Sequence, residues 1–260
     1  MIDYRTMNSP HRSHTGHAVV TGGGGGIGRA VAFALIQDGW TVTVCGRSAD
    51  NLAATVSDPR SAGRIDQRVC DISDESSVAA LFDYVADTHH RVDLLVANAG
   101  TPGPAAEFGQ VPADEFRATV DTNLVGTFLT CQEAFRRMRG AGGRIIINAS
   151  IAAQVPRPHT AAYAATKSAL RGLSKVISLD GRAYGITCGR IDIGNAATEL
   201  LDGFGAQSGA LQPDGSHKVE PTFSVADAAR AVALMASMPP EAVVDELTVT
   251  AAGMPFVGRG

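Results

Sequence analysis

His17-Ala-Val-Val-Thr21-Gly-Gly-Gly-Gly-Gly-Ile-Gly28-Arg-Ala-Val-Ala-Phe-Ala-Leu35 is the stretch that decides the fold of this chain. A short apolar strand runs into a glycine-rich turn, and the turn opens an amphipathic helix, the order that a phosphate cradle requires. Glycine at 22, 26 and 28 permits positive φ and close backbone approach. The first N–H groups of the following helix have no intrahelical acceptor and point outward at an anion. A flexible linker would carry the glycines without the flanking buried-type strand and periodic helix. The segment therefore reads as the first strand–helix unit of a parallel sheet, with a dinucleotide pyrophosphate seated on the helix N-terminus.

Outward from this unit the chain alternates strands and helices. Strands are predicted at 17–21, 41–45, 65–70, 93–97, 144–149, 186–191 and 245–250, and helices near 27–38, 74–87, 112–138, 160–181 and 225–237. Residues 94–97 and 144–148 are continuously apolar or nearly so, as expected of strands covered on both faces. The pattern predicts an α/β fold, a Rossmann-type doubly wound parallel sheet of about seven strands flanked by helices, in a single domain. Right-handed crossovers would gather the glycine turn, Asn98, Ser150 and the 193–198 loop at the carboxyl edge of the sheet. The domain is expected over 17–260, after a flexible N-terminal extension at 1–16. A mobile substrate lid is expected at about 195–222, its glycines letting Leu200, Leu201 and Phe204 close over the site.

The 260 residues suffice for one large core, and 45% hydrophobic with 18% charged residues describes a globular chain. No apolar run reaches the ~18 residues of a membrane-spanning helix, and a net charge of −4 gives no basic footprint for nucleic acid. Neither a membrane nor a nucleic-acid partner is expected. Cys45, Cys70, Cys131 and Cys188 lack metal-ligand spacing and read as small buried hydrophobes in a reducing compartment. His11, His14 and His17 recur every three residues without a Cys or acidic set beside them, so no metal site is predicted. The N-terminal stretch lacks the apolar core of a secretory signal, and a cytoplasmic protein is expected.

A second stretch carries chemistry. Tyr163 and Lys167 stand four apart on a predicted helix, and Ser150 precedes Tyr163 by 13 residues. Spacing of four puts phenol and ammonium on one helical face, where the cation favours the ionised phenol. A phenol of unperturbed pKa ~10 is otherwise a poor base near neutrality. Lowering it by about three units corresponds to ~4 kcal/mol, which a lysine and a cationic nicotinamide ring could supply together. Singly, such residues are more often packing, solvated or capping groups. In this order, with a dinucleotide motif upstream, they read as a hydride-transfer site.

With these motifs the chain resembles the short-chain dehydrogenase/reductase (SDR) family, in its single-domain branch with a Ser-Tyr-Lys-Asn catalytic set, from about residue 17 to the C-terminus. Thr21, Gly22, Gly26, Ile27 and Gly28 fit the family's glycine motif, and Asp71 with Ile72 its adenine-contacting segment. Asn98, Ala99 and Gly100 fit its Asn-Ala-Gly after the fourth strand, and Asn123 its helix asparagine. Its Pro-Gly after the sixth strand appears as Ile193-Gly194, followed by Ala196 and Thr198. Isoleucine in place of proline removes a stiff φ and adds a backbone N–H, which implies an unusually shaped nicotinamide-side loop.

The resemblance implies an NAD(P)-dependent oxidoreductase interconverting a secondary alcohol and a ketone, with a small-molecule carbonyl or alcohol as substrate. In that reading Tyr163 is the general acid/base, and Lys167 binds the nicotinamide ribose and lowers the phenol pKa. Ser150 holds the substrate oxygen, and Asn123 holds a water linking Lys167 to solvent. Two other readings use the same fold: a non-catalytic nucleotide-binding sensor, which has no need of the phenol, and an isomerase or dehydratase that regenerates its cofactor. The family also implies a homo-oligomer, tetramer or dimer, with contacts from 112–138 and 160–181. Phe256 and Val257 would be covered by a neighbouring subunit.

NADP is expected to be the preferred cofactor, with NAD possible. The position where the family places a ribose-binding acid, 18 beyond Gly28, is Gly46. Arg47 follows with a guanidinium suited to a 2′-phosphate, and Ser48 adds a hydroxyl. His159, four before Tyr163, could face the same pocket and Arg157 could meet an acidic substrate, but a capping or surface role for the first and a solvent-facing one for the second are the favoured readings.

Overall fold

The computed structural model describes residues 16–198, 209–212 and 214–256. Strands β1 (His17–Thr21), β2 (Thr41–Gly46), β3 (Ile65–Val69), β4 (Leu94–Ala97), β5 (Gly143–Asn148), β6 (Ile186–Ile193) and β9 (Glu246–Val249) form one sheet. Their order is β3-β2-β1-β4-β5-β6-β9, and every pair is parallel. This is the doubly wound sheet that the alternating pattern predicts. The direction of winding reverses between β1 and β4, which opens a crevice at their carboxyl ends. A separate antiparallel ribbon, β7 (Ala210–Leu211) with β8 (His217–Lys218), lies inside the segment expected to be a lid.

Helices α1 (Gly26–Gln37), α2 (Ala49–Val56) and α7 (Val225–Ser237) cover one face of the sheet, while α3 (Glu75–His89), α5 (Gly126–Met138) and α6 (Ala161–Gly181) cover the other. The pleat sorts neighbours between the faces: Val20 and Ile146 join the first cluster, and Val19, Ile145 and Ile147 the second. Each of these isoleucines is fully buried, which stabilises by about 1.5–3 kcal/mol relative to exposure. Coverage on both sides is why β5 tolerates no polar alternation.

Two local features escape the pattern. Helix α2 spans only eight residues, too few for helical periodicity to emerge; its signals are Ser48, whose Oγ caps it by accepting from the Asn51 amide at 3.3 Å, and buried Leu52. The long helix expected at 112–138 is α4 (Ala113–Val120) running through a π-helical turn, Asp121–Val125, into α5. The Thr127 hydroxyl bonds back to the Asn123 carbonyl at 2.8 Å, a geometry that bends helices. At Gly126 a Cβ would lie 2.8 Å from Ile72 Cγ1, so glycine there lets the widened helix close on its neighbour.

Residues 1–15 of the expected extension, and Leu200, Leu201, Phe204 and Val257, lie outside the described residues. Phe256 is partly buried on Ile151, Ala251 and Met254 of its own chain, where a turn closed by the Met254 amide on the Ala251 carbonyl folds it back. All four cysteines are free and buried. Among the described residues no helix is long and apolar enough to cross a membrane, and no group of three or more His, Cys, Asp or Glu is placed to hold a metal.

Candidate active site

Thr21 ends β1 and organises the crevice. Its hydroxyl accepts from the Asn98 and Ala99 amides at 2.9 and 3.0 Å, and its carbonyl accepts from Asn98 Nδ2 at 2.9 Å. Asn98 Oδ1 accepts in turn from Asn148 Nδ2 at 2.8 Å, so β1, β4 and β5 are pinned together at their carboxyl ends. Gly22 and Gly26 adopt φ of 68° and 48°. At Gly28 a Cβ would meet the Gly22 carbonyl oxygen at 2.3 Å and Asn98 Nδ2 at 2.6 Å, so only glycine lets α1 close on the turn. Gly25 caps α1 without a side-chain bond, which leaves the first helical N–H groups for an anion. These residues fit a dinucleotide pyrophosphate. Arg29, not singled out by the motif, locks the turn from behind: Nε donates to Thr55 Oγ1 at 2.9 Å and Nη2 to the carbonyls of Gly24 and Asn51.

Ser150, Tyr163 and Lys167 face this cradle across a cavity of about 300 Å³. Gly22, Gly26, Ile27, Asn98, Ala99 and Gly100 line one part of it, and Gly194, Ala196 and Thr198 another. Ser150 leaves β5 extended and caps a 3-10 turn at Ile151–Ala153, its Oγ accepting from the Ala152 amide at 3.1 Å. One helical turn separates Tyr163 from Lys167 on α6. Lys167 Nζ lies 5.6 Å from the phenol ring centroid and donates to the Asn148 carbonyl at 2.9 Å. Burial pushes the Tyr163 phenol above its ordinary value, and a hydrogen bond from Ser150 offsets part of the rise. Desolvation in the packed pocket is the largest cause of that rise. Burial also lowers Lys167, to about 8, against an opposing pull from the Asp192 carboxylate.

Asn123 sits buried in the π-helical turn. Its Oδ1 accepts from the Thr101 amide and its Nδ2 donates to the Thr101 carbonyl, both at 2.8 Å, with Thr166 Oγ1 at 3.3 Å. Its side chain thus ties the α4–α5 bend to the loop after β4 and to α6. Gly100 separates it from the lysine, since a Cβ there would lie 3.2 Å from Asn123 Oδ1 and 3.7 Å from Lys167 Nζ. Asp71, Ile72 and Arg47 stand apart from the cavity. Hydrogen bonds from Ser73, and to a lesser degree the Arg47 charge, hold the Asp71 carboxyl below its usual value. The Ile72 side chain belongs to the core, and Arg47 is exposed directly after β2. Ile193 ends β6, which continues two residues past its predicted end and pairs Ile193 with Val249.

Several contributors were not singled out from sequence. Asn148 is signalled only by a polar end to an apolar strand, and Asn195, at φ 50°, by an Asn following glycine at a strand end. Asp192 and Glu220 leave no local signal. Arg157, read as solvent-facing, instead lines the cavity because Glu220 and Asn195 draw it inward. His159 is exposed at φ 62° and lies outside the cavity wall.

A family model described as short chain dehydrogenase matches residues 16–208. The chain belongs to the short-chain dehydrogenase family. A 3beta-hydroxysteroid dehydrogenase of Mediterraneibacter gnavus is 35% identical to it over 185 residues, 71% of this chain and 67% of that protein. A D-threitol dehydrogenase of Mycolicibacterium smegmatis is 37% identical over 189 residues, 70% and 71% of the two chains. The crystal structure of a variant actinorhodin polyketide ketoreductase with NADPH matches with a TM-score of 0.79 at 27% identity, over 92% of this chain and 97% of that one. This short-chain dehydrogenase is accordingly an oxidoreductase of the class acting on CH–OH groups.

Proposed function

We propose that this short-chain dehydrogenase interconverts a secondary alcohol and a ketone, with NADP(H) preferred over NAD(H). The observation that carries the reading is one cavity walled by the glycine cradle on one side and by Ser150, Tyr163 and Lys167 on the other. The nicotinamide, when bound, supplies or accepts the hydride. Tyr163 gives a proton from its phenol oxygen to a carbonyl during reduction and takes one from an alcohol during oxidation. Ser150, already hydrogen-bonded to that phenol, donates to the same substrate oxygen and fixes its position. Lys167 favours the phenolate through space and binds the nicotinamide ribose, while Asn123 holds the bend that keeps its surroundings in place. Gly194, Ala196 and Thr198 would back the nicotinamide, and Asp71 and the Ile72 backbone the adenine. Four free, buried cysteines agree with a cytoplasmic setting. Exposed Val125 and Phe128 at the α4–α5 bend, with Val176 and Leu179 on α6, agree with a homo-oligomer that covers them.

A panel of ketones and secondary alcohols run with both cofactors tests the reaction. Net oxidation or reduction of nicotinamide is expected. Substrate conversion without net change would favour an isomerase or dehydratase, and tight cofactor binding without turnover a sensor.

The pH dependence follows from Lys167. Its ammonium is present below about pH 8 and lost above it, and a neutral amine no longer assists ionisation of the phenol. Because kcat/KM reports groups of the free enzyme, kcat/KM for reduction should fall above about pH 8. Lys167→Arg stays charged throughout this range and should lack that limb; a limb unchanged in the variant would assign it to another group.

Cofactor preference rests on Arg47 together with the N-terminus of α2, capped by Ser48. A 2′-phosphate there would meet a guanidinium, a hydroxyl and the positive end of a helix. Charge-assisted bonds of ~1.5–3 kcal/mol correspond to roughly a tenfold or greater preference for NADP in kcat/KM, which Arg47→Ala should collapse. Equal use of both cofactors by the wild type, or an unchanged ratio in the variant, would show that Arg47 does not read the phosphate.

A further inference from the structure

Besides Lys167, Arg157 is the charged side chain in the cavity wall among the described residues. Its Nη2 donates to Glu220 Oε2 at 2.6 Å and to Asn195 Oδ1 at 2.8 Å. Asn195 Nδ2 donates to the same Glu220 oxygen at 2.9 Å, and Gln212 Nε2, next to the β7–β8 ribbon, reaches Glu220 Oε1 at 3.3 Å. The Arg157 and Glu220 side chains are 15% and 3% exposed, so the pair is largely withdrawn from water. Burial raises the Glu220 carboxyl, but the Asn195 hydrogen bond and the Arg157 charge outweigh it and leave the group below its ordinary value. Glu220 is therefore ionised at neutral pH, and the pair is neutral as a unit. Both Arg157 bonds leave from one nitrogen; Nη1 and Nε make none to the described residues.

What this part of the wall accepts is decided by charge. An unpaired guanidinium in a pocket would repay the desolvation of a carboxylate with a bidentate contact. A guanidinium already compensated by Glu220 repays it only in part, and the second anion adds repulsion from a carboxylate a few ångströms away. A neutral oxygen costs far less to desolvate and takes the same N–H donors.

We infer that Arg157 and Glu220 form a specificity-determining pair: the open edge of the guanidinium takes an uncharged acceptor oxygen of the substrate, and Glu220 excludes substrates bearing a carboxylate there. The inference rests on reading the cavity as the substrate site. Titration calorimetry tests it on the protein saturated with whichever of NADP or NAD it binds, using cyclohexanecarboxamide and cyclohexanecarboxylate, which match in shape and differ in charge. The wild type should bind the amide at least about tenfold tighter than the carboxylate. Glu220→Gln keeps the shape and removes the charge, and should shift that ratio at least about tenfold toward the carboxylate. Equal or tighter carboxylate binding by the wild type, an unchanged ratio in the variant, or no binding of either probe would overturn the inference. The wild-type comparison decides even where the variant does not fold. Turnover is not the readout. A protein that discriminates between the probes yet turns over no alcohol or ketone sinks the proposed reaction alone, and an active enzyme that does not discriminate sinks the specificity pair alone.

Discussion

Tyr163→Phe should lose at least about a hundredfold of turnover while keeping its fold and its cofactor affinity, the low end of what a positioned proton donor contributes. The ring occupies an 8% exposed site between the 3-10 turn and the cavity, and phenylalanine fills the same volume. What disappears is the phenol oxygen alone. Neither neighbour replaces it: Lys167 directs its ammonium at the Asn148 carbonyl, and Ser150 has a hydroxyl that is a far weaker acid. The lost hydrogen bond to Ser150 should cost only about 1 kcal/mol of stability. Steady-state kinetics beside thermal unfolding separates the two effects, and turnover within a few-fold of wild type would sink the assignment.

The largest effect on stability is expected at Arg190 and Asp192, alternate residues of β6 that are each 1% exposed. Arg190 Nη2 donates to Asp192 Oδ2 at 3.0 Å, and Gln154 Nε2 reaches the same oxygen at 2.5 Å. Among the described residues Arg190 Nε and Nη1 and Asp192 Oδ1 have no hydrogen-bond partner. Such a pair stabilises little, because the cost of removing two ions from water offsets their attraction. Removing Asp192 is different, since among the described residues it leaves the buried Arg190 guanidinium only the partly exposed Glu246 carboxylate, at 3.5 Å. Asp192→Ala should therefore cost about 3–5 kcal/mol, whereas the double variant Arg190→Met with Asp192→Leu should fall near or above wild type. Denaturant unfolding of both variants gives the comparison. A double variant as unstable as the single one would mean that the pair supplies net stability after all.

Most of the architecture was legible because the parallel strands are buried on both faces, and such burial writes itself as unbroken apolar runs like Ile145 to Ile147. The cradle was legible for a steric reason: Gly28 is pressed against the Gly22 carbonyl, and no other residue fits. What escaped depends on contacts between distant parts of the chain or on very short elements. Helix α2 is too brief to show a period, and the π-helical turn at Asn123 looks like ordinary helix in sequence. Arg157 and Glu220 are 63 residues apart, and nothing local to either announces the other. The surroundings of the phenol were hidden on a related ground: spacing places a cation beside it, but only the packed structure shows how dry the pocket is.

The bonds radiating from Thr21 also bear on how fast a dinucleotide is captured. Because the Asn98 and Ala99 amides are already held by Thr21, and Asn98 by Asn148, the floor of the cradle is a rigid surface closed by the protein's own bonds. A molecule arriving there has little backbone to order, so little conformational entropy is lost on contact. Association should run at a rate set by diffusion and orientation, common to related dinucleotides. Residence time would then distinguish one dinucleotide from another.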